Sequence, residues 1–282
     1  MSLIKRWLRA CLRRLVPLTR WWINSIPLPP GKRFILKNFS RLAFKFKTKT
    51  QYNFSIEGST EDLIQKYIYY FGVWEPNLSD VLYQRFKTLP TRHFIDIGAN
   101  IGYFSLLAAK TLAPPARVIA IEAHPQIHAH LSRNISRNSV SNIQAIHAAV
   151  LDRQGEVSLF DGPKGNTGSS TILPSRFAQS SAQPVPASPL GLLVDNETLK
   201  HTGTIKIDVE GAEVQVVKGL ADVMDHLPQD IIFTLEITPE LIGLEGRDYI
   251  FQFFESRGFQ AYAIQNSYDP ETYWNRPPAV PP

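Results

Sequence analysis

Short runs rich in isoleucine and valine alternate with helix-length segments along most of this chain, and this alternation constrains its fold more than any other feature. The strand-like runs are HFIDIG (93–98), RVIAIEA (117–123), IQAIHAAV (143–150), TIKIDVE (204–210), DIIFTLEI (230–237) and FQAYAI (259–264). Segments with helical spacing of apolar residues separate most of them, at 102–111, 125–138, 212–221 and 247–257. Strands that alternate with helices form a mostly parallel sheet whose two faces are covered by helices. The sequence therefore predicts an α/β fold.

Three segments outside this alternation complete the predicted organisation. Alternating runs at 41–47 and 52–57 predict a hairpin. Residues 59–62, Ser-Thr-Glu-Asp, predict the cap of a following helix, and a second helix is expected over 76–86. Residues 161–191 are rich in serine, proline and glycine, and so long a connection is typical of a binding loop, a lid or a partly disordered segment.

Charge is divided unevenly along the chain. Residues 1–56 hold thirteen lysines and arginines and no acidic residue, whereas the remainder holds seventeen basic and twenty-five acidic residues. The net charge of +5 therefore arises in the N-terminal segment. A basic arm of this kind is typical of contact with an anionic surface, such as phospholipid, nucleic acid or a phosphorylated substrate. The one cysteine, Cys11, excludes an intramolecular disulfide and a cysteine zinc site, which fits a reducing, cytoplasmic compartment.

Residues 3–22 of this arm have the pattern of a basic amphipathic helix with interfacial aromatic residues. Apolar residues recur at helical spacing from Leu3 to Leu15, basic residues fill the other side, and Trp21 and Trp22 follow. Three interpretations stay open: docking on the protein's own domain, peripheral contact with an anionic membrane, and a transit peptide. No apolar run approaches the ~20 residues that a membrane-spanning helix needs.

Residues 96–102 form the most informative loop of the chain. They follow the pattern D-x-G-x-x-x-G, with an acid at Asp96 and glycines at Gly98 and Gly102. Glycine permits close approach of backbone, but the acid would repel a pyrophosphate and suits a ligand that carries a cation. Glu122 closes the next strand, where a carboxylate accepts hydrogen bonds from the two hydroxyls of a ribose. S-adenosylmethionine has a ribose and a cationic group and lacks phosphate, so it is the expected ligand. A nicotinamide dinucleotide is the alternative ligand.

These motifs resemble the FkbM family of S-adenosylmethionine-dependent methyltransferases. The matching stretches are FIDIGANIGYFSLLAAK, AIEAHP, AAVLDRQGEVSLF, NTGSST and IKIDVEGAEVQVVKGL, within residues 60–265. The resemblance implies a class I, Rossmann-like fold with a seven-stranded sheet. It further implies O-methylation of hydroxyls on sugars, polyketides or other secondary metabolites. In one departure from the family pattern, only FQAYAI clearly represents the last two strands.

The resemblance also implies roles for individual residues. Those expected around the methionine part of the donor are Asp96, Gly98, Ala99, Asn100 and Gly102. Glu122 is expected on the ribose, with Ala148 and Ala149 beside the adenine. The implied organisation is a basic extension over 1–58, a methyltransferase domain over 59–270 and a proline-rich tail over 271–282.

A second group of acids is expected at the same edge of the sheet. Asp208 ends the fourth of the strand-like runs, Glu210 starts the next helix, and Glu236 ends the following strand. These carboxylates could remove the proton of an acceptor hydroxyl, hold a divalent cation, anchor the donor's amine or bind the substrate. The sequence assigns no metal site. Glu210 has the alternative of stabilising a helix N-terminus, and Lys206 is expected on the opposite face of its strand.

Other functions compete with this interpretation. An NAD-dependent oxidoreductase is disfavoured because G-x-G-x-x-G is missing, and a non-catalytic methyltransferase-like module would not need acids at 96, 122 and 208. A nucleic-acid methylase is disfavoured because no aromatic stacking platform accompanies the pocket. The expected acceptor is therefore a small molecule or a glycan. His124 and His201 are expected to be solvated loop residues.

Overall fold

The computed structural model of the chain describes residues 43–162, 170–173 and 182–274. Its strands are β1 (Lys45–Lys49), β2 (Ser55–Ser59), β3 (His93–Ile97), β4 (Val118–Glu122), β5 (Ile143–His147), β6 (Ala149–Val150), β7 (Gly155–Phe160), β8 (Ala182–Ser188), β9 (Thr202–Ile207) and β10 (Ile232–Leu235). Its helices are α1 (Leu63–Phe71), α2 (Pro76–Thr88), α3 (Tyr103–Thr111), α4 (Pro125–Arg137), α5 (Leu190–Leu193), α6 (Asn196–Lys200), α7 (Glu213–Leu220), α8 (Pro239–Glu255) and α9 (Pro270–Trp274), with a 3-10 helix at Ala221–His226. The predictions for residues 3–22 and for 275–282 fall outside the described residues. None of the helices described here has the length and apolar character to cross a membrane.

Two compact units divide the described residues, one of 43–80 with 265–274 and one of 81–264. In the smaller unit, β1 and β2 pair antiparallel, which confirms the predicted hairpin with bounds shifted towards the C-terminus. Helix α1 begins after Asp62, whose side chain accepts a hydrogen bond from the backbone N–H of Gln65 at 3.0 Å. It ends at Gly72, whose φ of 72° belongs to the left-handed region that glycine favours.

The larger unit is built on a five-stranded sheet in the order β10-β9-β3-β4-β5. Every neighbouring pair in it is parallel, which confirms the predicted α/β fold. The chain leaves β3 towards β4 and β5 on one side and later fills β9 and β10 on the other. Open parallel sheets bind ligands at the carboxyl ends of the strands, beside the point where the order reverses. That point lies between β3 and β9.

Helices cover both faces of this sheet. Along β4, Ile119 and Ile121 pack in the same apolar cluster as Val216 of α7, whereas Ala120 packs against Leu131 of α4. Successive residues of a strand point to opposite faces, so α7 and α4 lie on opposite sides. The strands are therefore apolar on both faces, as the isoleucine- and valine-rich runs predicted.

A second, three-stranded sheet has the order β6-β8-β7 and corrects two sequence predictions. The run predicted as one strand over 143–150 is split into β5 and β6. Part of the segment expected to be irregular, 161–191, forms β8, which pairs antiparallel with β7. Pro184 and Pro186 of β8 concealed this strand, because proline donates no backbone hydrogen bond. Strand β6 pairs only with residues 187 and 188, so at both prolines β8 has a neighbouring strand on one side alone, β7. A residue in that position does not need to donate a backbone hydrogen bond on the other side.

The run FQAYAI (259–264) was predicted as a strand, and that prediction was wrong. Residues 259–269 have no regular structure, and Tyr262 is 83% exposed. Phe259 instead packs against Phe254 of α8 and Phe233 of β10, with ring centroids 5.5 and 5.4 Å apart. Phe259, which the alternating pattern had placed in a strand, thus packs against the C-terminal end of α8. This helix is also longer than predicted, and Gly243 breaks its regular geometry.

Candidate active site at the carboxyl edge of the sheet

Four acids predicted from the sequence stand at the carboxyl ends of neighbouring parallel strands. Asp96 lies near the end of β3, Glu122 ends β4, and Asp208 and Glu236 directly follow β9 and β10. The sheet order places them along one edge in the sequence Glu236, Asp208, Asp96, Glu122. The structure therefore brings acids from distant parts of the chain to the edge where such sheets bind ligands.

The loop that follows β3 turns on three residues with left-handed backbone. Gly98, Asn100 and Gly102 have φ values of 78°, 50° and 89°. The side chain of Asn100 accepts a hydrogen bond from the N–H of Ile101 at 2.7 Å, an interaction that makes asparagine tolerable in this conformation. The N–H groups of residues 98 and 99 both donate to the carbonyl oxygen of Ile121 at 3.0 Å. The loop is therefore bound tightly to the end of β4.

The protein's own atoms exclude side chains at the two glycines. A Cβ at Gly98 would lie 1.7 Å from the carbonyl oxygen of Asp208, and one at Gly102 would lie 2.5 Å from Cδ1 of Leu131. Both distances are far below van der Waals contact. Gly98 thus permits the close approach of the loop to the chain after β9, and Gly102 permits the approach of α4.

Glu122 joins the loop after β3 to the start of α4. One of its carboxylate oxygens accepts a hydrogen bond from the N–H of Asn100 and the other from the N–H of His124, each at 2.8 Å. Glu122 is nearly buried, with 8% of the residue's surface exposed. Burial raises the pKa of Glu122 to about 7, although the two N–H groups favour the ionised form.

Asp96 is fully buried beneath this edge. Its Oδ2 accepts a hydrogen bond from the hydroxyl of Ser105 at 2.6 Å, while its Oδ1 has no hydrogen-bond partner and lies 3.8 Å from Nζ of Lys206. Burial raises the pKa of Asp96, and the Lys206 ammonium is the strongest influence in the opposite direction. Asp96 is therefore paired with Ser105 and Lys206 and not exposed to solvent.

Lys206 does not point away from the site, so that sequence prediction was wrong. Its Nζ donates to Oδ2 of Asp208 at 2.9 Å and lies 5.2 Å from the centre of the Phe104 ring. Residues two apart on a strand share a face, which is why Lys206 and Asp208 meet. The Lys206 side chain is 4% exposed and that of Asp208 is 26% exposed. Asp96, Lys206 and Asp208 thus form a network of ion pairs in which Asp208 is the solvent-accessible member.

The remaining candidate acids have different surroundings. Glu236 is exposed, and its backbone N–H donates to the carbonyl of Ile207 at 3.0 Å, so the ends of β10 and β9 adjoin. Glu210 does not start a helix: it has a left-handed φ of 53° and precedes α7 by three residues. The residue that binds the free N–H groups there is Glu213, which accepts from Gly211 at 3.0 and 3.1 Å. Sequence reasoning missed Glu213, although an acid in the first turn of a helix is a known signal.

The predicted adenine-side residues are buried. Ala148 lies between β5 and β6 and packs in the main core, and Ala149 belongs to β6, opposite Ala187 of β8. Over the described ranges, no group of three or more histidine, cysteine, aspartate or glutamate side chains is arranged to hold a metal ion.

His124 is not a solvated loop residue, as the sequence had suggested. It is nearly buried, and its Nε2 lies 2.8 Å from Oδ1 of Asp161 and 3.2 Å from Nε2 of Gln183. Its backbone N–H is the group that binds Glu122, so this cluster connects the end of β4 with β8. His201, by contrast, is exposed as predicted and lies before β9, at the opposite edge of the sheet.

The parallel sheet, the glycine loop after β3 and the acids at the carboxyl edge are the features of an S-adenosylmethionine-dependent methyltransferase, and comparison with known proteins agrees. A family model described as the methyltransferase FkbM domain matches residues 96–261, more than half of the chain. The chain therefore belongs to the FkbM methyltransferase family.

Individual relatives are distant. Methyltransferase sdnD of Sordaria araneosa is 27% identical over 215 residues, which cover 66% of this chain and 80% of that protein. Methyltransferase 1 of Beauveria bassiana (strain ARSEF 2860) is 25% identical over 159 residues, 50% of this chain and 63% of that protein. Among solved structures, the O-methyltransferase TomG of Streptomyces achromogenes in complex with the donor aligns with a TM-score of 0.42 at 12% identity. That alignment covers 70% of this chain and 77% of TomG.

Proposed function

We propose that this methyltransferase acts on a hydroxyl oxygen of a small-molecule or glycan acceptor. One observation carries the proposal: the glycine loop after β3 touches the chain at Asp208, so that a Cβ at Gly98 would overlap the Asp208 carbonyl oxygen. The loop that would hold the donor and a partly exposed carboxylate therefore belong to one site. Methyl transfer is an in-line displacement, and its rate depends on the alignment of the nucleophile with the donor.

The residues at the edge fit S-adenosylmethionine, which supplies an electrophilic methyl group when bound. Each carboxylate oxygen of Glu122 accepts one backbone N–H and keeps a further lone pair for a ribose hydroxyl. The half-buried backbone at Gly98 and Asn100 faces the methionine part, in our assignment, and Ala148 and Ala149 border the adenine. Acids and neutral groups dominate this edge, which suits a cationic ligand without phosphate.

Asp208 is the residue that we assign to the acceptor. Its carboxylate is held by Lys206 and is partly exposed, and its backbone carbonyl lies against the donor loop. An acceptor hydroxyl that donates to this carboxylate is oriented, and its proton has a base to move to as the oxygen–carbon bond forms. Such a base contributes about 10²–10⁴-fold in rate. Glu236 and Glu210 are assigned secondary roles in binding the acceptor, because both flank Asp208.

The described part of the serine-rich segment supports a binding role for it. Leu173 packs against Gly211, since a Cβ there would lie 2.7 Å from Cδ1 of Leu173. Residues 170–173 therefore lie beside the turn that carries Asp208 and Glu210. A loop in that position is suited to contact the acceptor.

We also propose peripheral contact with an anionic membrane through residues 3–22. The support is the sequence pattern: an apolar stripe, a basic face and tryptophans at Trp7, Trp21 and Trp22. Each basic residue near an anionic surface contributes about 1 kcal/mol. A lipid-linked glycan would be an acceptor that such contact brings to the site.

A methyl-transfer screen tests the function directly. Labelled donor is supplied with glycan, lipid-linked and secondary-metabolite extracts, and products are identified by mass analysis, with Asp208→Asn as the matched control. We expect one acceptor class to gain a methyl group on oxygen with the unaltered protein and far less with the variant. A methyl group on nitrogen or carbon would overturn the hydroxyl assignment. Binding of NAD in place of S-adenosylmethionine in a calorimetric titration would overturn the function altogether.

A further inference from the structure

The ammonium group of Lys206 is buried between two carboxylates at the centre of the candidate site. Its Nζ lies 2.9 Å from Oδ2 of Asp208 and 3.8 Å from Oδ1 of Asp96, and 4% of its side chain is exposed. The ring of Phe104 lies 5.2 Å away and covers another side of the group. Lys206 therefore links the wholly buried acid of β3 to the accessible acid after β9.

Fold stability alone does not account for this arrangement. Removing a charged group from water is costly, and replacing a buried ion pair by apolar side chains of similar size is often neutral or stabilising. Apolar side chains in place of Asp96, Lys206 and Asp208 together would cost the fold little, whereas replacing Lys206 alone would leave Asp96 buried without its cation. A charge retained at such a position, directly at the ligand edge, points to a role in the site.

Asp96 and Asp208 are the acids in contact with Lys206, and two further acids, Glu122 and Glu213, feel the charge of Asp208. Asp96 comes from β3, Glu122 from β4, Asp208 from the end of β9 and Glu213 from α7. These acids disfavour one another's ionisation: Asp208 raises the pKa of Asp96, of Glu122 and of Glu213. Lys206 counteracts this, since its charge lowers the pKa of the buried Asp96.

We propose that Lys206 is a positioning residue that neutralises Asp96 and holds the Asp208 carboxylate at the rim of the site. The inference rests on the proposed function. Lys206 thus keeps Asp96 ionised beside the loop assigned to the donor, while the carboxylate of Asp208 stays at the rim for the acceptor. Without Lys206, the pKa of the buried Asp96 would rise further, since the charge that lowers it would be gone.

The test measures donor affinity by calorimetry between pH 5.5 and 9 for the unaltered protein and for Lys206→Met. An opposite charge at this distance lowers a carboxyl pKa by about 1–3 units. We therefore expect the pH at which affinity is half lost to rise by about one unit or more in Lys206→Met. Turnover should fall by about 10²-fold, and the melting temperature should fall as well, because Asp96 stays buried without its cation. Lys200→Met, which alters an exposed lysine of α6, is the matched control and should change none of these quantities.

A second pair of variants separates charge from packing. In Lys206→Met/Asp208→Asn one acid is removed together with the lysine, so the pH midpoint of donor affinity should return towards that of the unaltered protein while turnover stays low. Lys206→Arg keeps the charge and should keep the midpoint, even if the larger group lowers stability. Where Lys206→Met does not fold, the midpoint of Lys206→Arg decides: an unchanged value supports the inference and a shifted value overturns it.

The outcomes distinguish this inference from the proposed function. If the unaltered protein does not bind S-adenosylmethionine, the proposed function fails and the role of Lys206 fails with it. If the unaltered protein binds the donor and Lys206→Met binds it with the same affinity and the same pH midpoint, the inference alone is overturned.

Discussion

The α-carbon of Gly98 lies directly against the backbone carbonyl of Asp208, so that a Cβ on the glycine would stand 1.7 Å from that oxygen. The backbone N–H of Asp208 also donates to the carbonyl of Ile97 at 3.0 Å. Two motifs more than a hundred residues apart are therefore joined through main-chain atoms at the centre of the sheet. This main-chain contact places the loop assigned to the donor next to the backbone of Asp208, the residue assigned to the acceptor.

The first prediction concerns Gly98→Ala. The new methyl group meets the Asp208 carbonyl, and alanine is strained at a φ of 78°, so the free energy of unfolding should fall by about 2–5 kcal/mol, with loss of donor binding. Urea denaturation measures the change. Gly258→Ala is the control, because its φ of 82° is similar but nothing lies within 4 Å, and it should cost about 1 kcal/mol. Equal losses in the two variants would show that the contact with Asp208 is unimportant.

The second prediction concerns the pH dependence of donor binding. Burial raises the pKa of Glu122 to about 7, so the free protein holds roughly half a proton there at neutral pH. Ribose hydroxyls donate to the ionised form, which lowers this pKa on binding and releases the proton. Affinity should therefore decline as the pH falls below about 7 and level off above it.

Calorimetry in two buffers of different ionisation enthalpy measures this proton release. Glu122→Gln should abolish it, whereas His201→Ala, which changes an exposed histidine away from the site, should leave it unchanged. Proton uptake on binding at pH 7 would contradict the assignment of Glu122 to the ribose.

The third prediction separates the roles of two acids by kinetics. Asp208→Asn should lower kcat by about 10²-fold or more with a small change in donor affinity, because the carboxylate acts on the acceptor. Glu122→Gln should mainly weaken donor binding, by about 10-fold, since ribose contacts are similar in the ground and transition states. Steady-state rates and donor titration provide both values. If each variant shows only a rise in donor KM, Asp208 is a donor ligand and not an acceptor residue.

The fourth prediction concerns the basic arm. The intact protein should sediment with anionic vesicles and not with neutral ones, and high salt should release it, because the attraction between exposed charges is screened. Replacing the five basic residues at 5, 6, 9, 13 and 14 by glutamine should abolish sedimentation while leaving donor affinity unchanged. Loss of donor binding on deletion of residues 1–30, without vesicle binding by the intact protein, would favour docking of the arm on the protein itself.

The amino-acid sequence by itself determined the succession of strands and helices in the larger unit and the acids at their ends. Hydrophobic periodicity is a property of neighbouring residues, so β3, β4 and β9 could be read from the chain with little error. Parallel strands bring their carboxyl ends to one edge, and this rule was enough to group Asp96, Glu122 and Asp208. The two motifs that are most specific to the family contain the carboxyl ends of β3 and β9.

Which side chains meet and which strands pair became clear from the three-dimensional structure and not from the sequence. Lys206 reaches Asp96 across β9 and β3, and Glu213 rather than Glu210 binds the turn before α7. His124 is buried by Asp161 and Gln183, and FQAYAI forms no strand because Phe259 packs on an aromatic cluster. Apart from the contact of Glu213 with Gly211, these outcomes depend on contacts between residues far apart in the chain. Local periodicity carries no information about such contacts, because their free energy exists only once the whole core is assembled.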